Sequence, residues 1–275
     1  MIVNQRIRRR ERAWPAARAA CCLALLSLVR APIARCDSDP GPLGGTLAAT
    51  SDYIYRGVSQ SEGQGALQGD LHLSLASGTF AGVWASSRDR SLQPDASAEV
   101  QVYLGQRFAG GSSWSANVSG RADLFVGGEA NHLNDYEEIS AALTWLDRCT
   151  LSLTAIPNAV RYSFAQYEYQ GYPIGYYQRY RSGAWDADGS VQWLLREGVL
   201  GGGLYVTAAA GYYYASRPDN APVAAVGYLY GNAGLALERG RWRIDLGYFD
   251  AQSRAAQLFP YPVAKRLAAT LSWQF

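Results

Sequence analysis

The chain has 275 residues, 48% apolar and 12% aromatic, with a formal net charge of +2. A charge this near balance argues against a nucleic-acid partner, and the apolar content argues against a disordered chain. Lys265 is the single lysine among its basic residues, and arginine suits ion pairs held in fixed surroundings.

The first segment is a basic run, Arg6 to Arg12, followed by the apolar stretch Ala19 to Val29 and small residues near Ala31. That layout predicts a signal peptide over 1–36, because the apolar stretch is too short to span a bilayer. A short periplasmic segment is expected over 37–45 and a single barrel domain over 46–275. Cys21 and Cys22 fall in the segment to be removed, leaving Cys36 and Cys149. Two cysteines without a C-x-x-C pair make neither a disulfide framework nor a metal site, and no cofactor is expected.

Beyond Gly45 the pattern has period two. Leu67, Leu71 and Leu73 share one face of their segment and Gln68, Asp70 and His72 the other. Such runs predict about twelve strands, near 46–56, 66–77, 79–88, 98–109, 113–126, 136–146, 149–156, 182–193, 202–214, 227–237, 241–251 and 265–275. Many have the length of about ten residues that a tilted transmembrane strand needs. Their connections alternate between short turns and long loops, the longest covering 157–181. The expectation is an all-β protein: a transmembrane antiparallel barrel with short periplasmic turns and long extracellular loops, in the bacterial outer membrane.

Aromatic residues sort by strand end. Trp114, Trp145, Trp193, Trp242 and Trp273 fall near the short turns, and Tyr53, Tyr55, Tyr212 and Tyr228 near the long loops. Girdles of aromatic rings at the two lipid interfaces have this distribution. The alternate positions would then line the lumen: Asp52, Arg56, Asp70, His72, Glu99, Arg107, Arg121, Asp123, Glu138, Asp186, Asp188, Arg243 and Asp245. These charges require water or mutual pairing, and twelve strands fall between small filled barrels and open porins, so the lumen is expected to be narrow, with Asp52 and Arg56 as a pore-lining pair on the first strand. The strand ending in Phe275 carries apolar residues at every second position, which suits a signal for insertion by the barrel assembly machinery.

The stretch "SDYIYRGVSQ" and the following "SGTFAGVWASS" resemble the opening of the TorF porin family. The matching positions are Ser51, Asp52, Tyr53, Arg56, Gly57, Ser59 and Gln60, then Gly78, Gly82, Trp84 and Ser86. The resemblance is strongest over the start of the mature chain and thin through 150–200. It implies an outer-membrane β-barrel that acts as a porin, and passive diffusion of small hydrophilic solutes or ions is the expected function. A non-conducting barrel with a structural or surface-binding role is the alternative, supported by the Tyr-rich stretch of the longest loop. Catalysis is not expected, because a nucleophilic site needs a base beside its nucleophile. The two histidines, His72 and His132, stand in no recognisable serine motif.

Overall fold

The computed structural model describes residues 42–88, 96–111, 113–128, 132–169, 172–219 and 223–275. The expected signal peptide lies outside the described residues.

In chain order the elements are β1 (Leu43–Thr50), the two-residue strands β2 (Ile54–Tyr55) and β3 (Val58–Ser59), β4 (Ala66–Ser74), β5 (Thr79–Ser87), β6 (Ala98–Gly110), β7 (Trp114–Val126) and β8 (Tyr136–Trp145). They continue with β9 (Cys149–Tyr169), β10 (Tyr172–Val199), β11 (Gly202–Ala215), β12 (Val226–Arg239), β13 (Trp242–Ala251), the short 3-10 helix η1 (Ser253–Gln257) and β14 (Lys265–Gln274). The twelve strands other than β2 and β3 form one closed antiparallel barrel. Each pairs with its sequence neighbours, and β1 closes on β14 in a register running from Thr46 opposite Gln274 to Thr50 opposite Thr270. Closure leaves no strand edge unpaired, the condition for a sheet to stand in hydrocarbon.

Period two becomes an inside-out distribution of polarity. Leu47, Leu67, Leu151, Leu235 and Leu246 are exposed on the outer face. Asp70, Glu99, Arg121, Asp123, Glu138, Asp186 and Arg243 are buried within. A soluble barrel does the reverse, so the solvent of the outer face is lipid and the fold is a transmembrane barrel. Trp114 and Trp145 pack together at 6.1 Å on that face, and Trp242 and Trp273 at 6.3 Å. At the tight turn before β5, Gly78 has φ +86°, and a Cβ there would sit 2.3 Å from the Arg107 carbonyl oxygen.

Two expectations about strand limits need correction. The first strand starts at Leu43 and ends at Thr50, rather than spanning 46–56. The stretch 157–181 is not a loop. It is the continuation of β9 and β10 as a paired hairpin, with Val160 opposite Arg181 and Tyr169 opposite Tyr172. Above the bilayer a strand has no face that must be apolar, so backbone pairing persists where alternation in the sequence fades. Arg181 anchors the hairpin base by donating to the carbonyl oxygens of Asp135 at 2.6 Å and Asn158 at 3.1 Å.

Candidate functional site

Thr50 and Ala66 face each other across the β1–β4 pairing. Residues 51–65 therefore leave the wall and return to it at a single rung, and the wall is complete without them. They turn inward, and β2 and β3 form a small hairpin inside the lumen with Tyr55 opposite Val58. Its central residues Arg56 and Gly57 have φ of 48° and 74°, the positive values of a type I′ hairpin turn. Gly57 is needed for a second reason. A Cβ there would lie 2.5 Å from the Ala251 Cβ, so the tip is seated hard against the wall.

Arg56 spans the lumen from this tip. Its Nη1 pairs with Glu138 Oε1 at 2.6 Å and its Nε with Asp186 Oδ2 at 3.0 Å. Tyr228 donates to the Arg56 carbonyl oxygen at 3.0 Å. Arg121 holds Asp123 at 2.8 Å and the second oxygen of Glu138 at 3.0 Å, and it donates to the Tyr55 hydroxyl. Tyr55 in turn donates to Glu138 at 3.1 Å, and Tyr53 to Glu99 at 3.2 Å. Glu99 also accepts from Arg88 at 3.0 Å. Burial pushes the phenols of Tyr53 and Tyr55, which belong to the inserted segment, well above their ordinary range, so both remain protonated donors.

Three expectations fall with this geometry. Tyr53 and Tyr55 lie inside the barrel rather than at a lipid interface, because the strand meant to carry them ends before they begin. Tyr228, expected at the same interface, is fully buried under the hairpin. Asp52 and Arg56 do not pair. Asp52 accepts from Ser59 Oγ at 2.5 Å, Ser61 Oγ at 3.0 Å and the Gly63 amide at 3.2 Å, with Arg266 at 3.4 Å. It joins the two legs of the inserted segment, while Arg56 joins its tip to the wall.

The last connection also folds inward. Ser59 donates its amide to Pro262 at 2.9 Å, and the Ala264 amide donates to Gly57 at 2.8 Å. Leu258 beyond η1 is fully buried against the cluster that contains Tyr213 and Tyr228. Between these insertions and the wall remains a cavity of about 60 Å³, whose lining includes Tyr55, Arg56, Glu99, Tyr136 and Tyr261.

The half of the lumen nearer the short turns is different. Its wall presents small polar side chains, among them Thr46, Asn117, Thr144, Ser190 and Thr207. Asp70 accepts from His72 Nδ1 at 2.5 Å and from Tyr103. Arg243 holds Asp245 at 2.6 Å and also pairs with Glu238. Asp188 is half-buried on the β10 face that carries Asp186, and Arg107 stands exposed at the rim. Trp114, Trp145, Trp193 and Trp242 are exposed on the outer face, with Tyr212 against Trp185 at 5.5 Å. Phe275 stacks on Trp273 at 5.1 Å, and its amide donates to the Gly45 carbonyl oxygen at 3.0 Å.

Sequence reasoning missed Arg88, Tyr228 and Tyr230, which complete the cluster. Tyr230 donates to both oxygens of Asp186 at 2.9 Å. Parity held the signal for the two tyrosines: Tyr228 and Tyr230 share a strand face with Glu238 and alternate with the exposed Leu229.

A closed twelve-stranded wall with an apolar exterior and a charged, partly filled interior defines a transmembrane β-barrel plugged by its own chain. The chain belongs to the Gcw_chp family, described as a bacterial protein of unknown function, whose model matches residues 35–183. That span includes the inserted hairpin. No curated protein matches the chain in sequence. Among solved structures it is similar to the NanC porin, at 9% identity and a TM-score of 0.48, covering 85% of this chain and 98% of that one. LpxR from Salmonella typhimurium is similar at 7% identity and a TM-score of 0.38, covering 84% and 99%. The beta domain of the Bordetella autotransporter BrkA is similar at 14% identity and a TM-score of 0.37, covering 86% and 98%.

The projecting part of the β9–β10 hairpin has no share in the wall. Replacing 163–178 by a short turn is expected to leave the barrel folded, with heat-modifiable migration and thermal midpoint unchanged. Loss of either would mean that the projection supports the wall.

Proposed function

We propose that the protein is an outer-membrane channel for small hydrophilic solutes or ions, in line with the porin role that the TorF resemblance implies. The observation that carries this reading is the half-lumen near the short turns. Its charged groups Asp70, Asp188, Glu238, Arg243 and Asp245 face an interior lined by small polar side chains. Burying such groups dry is costly, so this chamber is filled with water. The chain reaches the membrane through its signal peptide, with Phe275 read by the barrel assembly machinery. In the membrane Trp114, Trp145, Trp193, Trp242 and Trp273 sit at the periplasmic interface and the long hairpin points outward. Incorporation into planar bilayers tests the reading, with discrete conductance steps as the expected result. A folded barrel that neither conducts nor admits small sugars in liposome swelling would favour a non-conducting structural role. The specific observation on that side is the filling of the other half of the lumen by the two inserted connections, in which Val58 and Leu258 are buried against the wall.

Selectivity follows from the chamber. Asp70, Asp188, Glu238 and Asp245 outnumber Arg243 and the rim residue Arg107 there, and beyond it Arg56 and Arg121 stand against three carboxylates, Glu138, Asp123 and Asp186. Net carboxylate charge favours cations, so reversal potentials under a salt gradient should show a modest cation preference. Anion preference would mean that the chamber does not set the selectivity.

A further inference from the structure

From this geometry we infer that residues 51–65 are the closing element of the channel, with Arg56 as its latch. The inference rests on the channel reading above and adds its regulation.

The inserted segment is separable from the wall. Thr50 and Ala66 are already paired, so barrel closure owes nothing to what lies between them. At its root the segment is fixed to β14 by Ser51, whose amide donates to the Ala269 carbonyl oxygen at 2.8 Å and whose Oγ accepts from the Ala269 amide at 2.9 Å. Beyond the root its legs are held to each other, by Asp52 to Ser59 and Ser61 and by the Gln60 amide to the Tyr53 carbonyl oxygen at 2.6 Å. The hairpin itself has backbone bonds to the other inserted connection, at Pro262 and Ala264, and holds the wall chiefly through side chains. It is a preformed unit on a fixed root, docked by polar contacts and by the packing of Tyr53, Ile54 and Val58 against their neighbours.

The ion pairs of the hairpin tip converge on Arg56. Arg56 reaches Glu138 on β8 and Asp186 on β10, and its carbonyl oxygen is held by Tyr228 on β12. The two carboxylates keep partners when the hairpin leaves, Arg121 for Glu138 and Tyr230 for Asp186. Both also face a lumen that water would fill. Undocking therefore does not strand bare charges in an apolar interior, which is what separates a displaceable plug from a structural core. With the hairpin seated, its residues Tyr55, Arg56 and Val58 line the cavity between it and the wall, so a solute crossing this half of the lumen meets the segment.

The test is conductance of the full mature chain in planar bilayers beside two variants. In the first, Asn-Gly replaces residues 51–65, the two-residue turn suited to strands already paired at Thr50 and Ala66. In the second, Arg56→Gln keeps the hairpin but removes its charge. Heat-modifiable migration confirms the folded barrel in each. The expected result is brief or small conductance in the natural chain and a steady conductance on the order of tenfold larger in the shortened one. Arg56→Gln should raise the open fraction on the order of tenfold without changing the fully open conductance. If the natural chain already conducts like the shortened one, the hairpin is not the closing element and the channel reading survives. If the shortened barrel folds and does not conduct, the channel reading fails with it. Should the shortened chain not fold, an unchanged open fraction in Arg56→Gln by itself overturns the latch.

Discussion

Replacing Arg121 by leucine is expected to destabilise the folded barrel by about 3–5 kcal/mol, the cost of removing one partner from a buried ion-pair network. Arg121 is 2% exposed, and Asp123 and Glu138 share its guanidinium. Asp123 is fully buried and has Arg121 as its charged partner at 2.8 Å, so truncation leaves a carboxylate without compensation. Glu138 keeps Arg56 and loses less. The control lies on the same face of the same strand. Ser119 is also fully buried, and its hydroxyl has no hydrogen-bond partner among the described residues. Ser119→Ala is therefore expected to stay within about 0.5 kcal/mol of the parent. Urea unfolding in detergent micelles, followed by tryptophan emission, measures both. Equal midpoints for the two variants would mean that lumen water screens Asp123 as well as Arg121 does.

The wall was legible because lipid imposes one rule on every spanning strand: apolar outward at each second position. Leu67, Leu71 and Leu73 obey it, and so do Ile244 and Leu246, and their strands fall within a few residues of the expected limits. The inserted segment was not legible because it answers to a different environment. Tyr53 and Tyr55 stand two apart between Asp52 and Arg56, the spacing of a lipid-facing pair, yet both lie inside a charged lumen. Period two reports that a segment is extended and two-sided, and it does not say which side is which. A local signal did exist in "YRGV", since an Arg-Gly pair between short β-prone runs is compatible with a two-residue turn. The motif residues behind the TorF resemblance take on a physical meaning here. Ser51 fixes the root, Asp52 and Ser59 join the legs, Tyr53 and Arg56 reach the wall, and Gly57 makes the tip.

The opposite error occurred at β9 and β10. Below Ile156 the strand alternates in the expected way, and above it Val160, Arg161 and Tyr162 are all buried although they are consecutive. Tyr162 pairs with Asn134 and receives the inward-folded last connection, its amide donating to Leu258 at 2.8 Å. A strand packed on both faces by protein loses its alternation without ceasing to be a strand.

Gly57→Val is expected to free the hairpin tip while leaving the wall intact. Two effects combine at this position. A β-branched residue at φ 74° is strained, by about 1–2 kcal/mol for the left-handed region. Its Cβ would also meet the Ala251 Cβ at 2.5 Å and the Tyr230 Cβ at 2.8 Å, neither of which can retreat without shifting a wall strand. Gly240→Val separates the two effects. Its φ is 59°, but a Cβ there meets nothing within 4 Å, so it carries the strain without the collision. Arg56 provides the readout, because trypsin needs an accessible arginine in a chain free to adapt to its cleft, and Arg56 is 4% exposed. Cleavage after residue 56, identified by fragment mass, should be on the order of tenfold faster in Gly57→Val than in the natural chain and unchanged in Gly240→Val. Comparable acceleration in both variants would place the effect in general loosening of the barrel. Equal protection in all three would mean that the tip tolerates a side chain, and that seating against Ala251 and Tyr230 is not what holds the hairpin in the lumen.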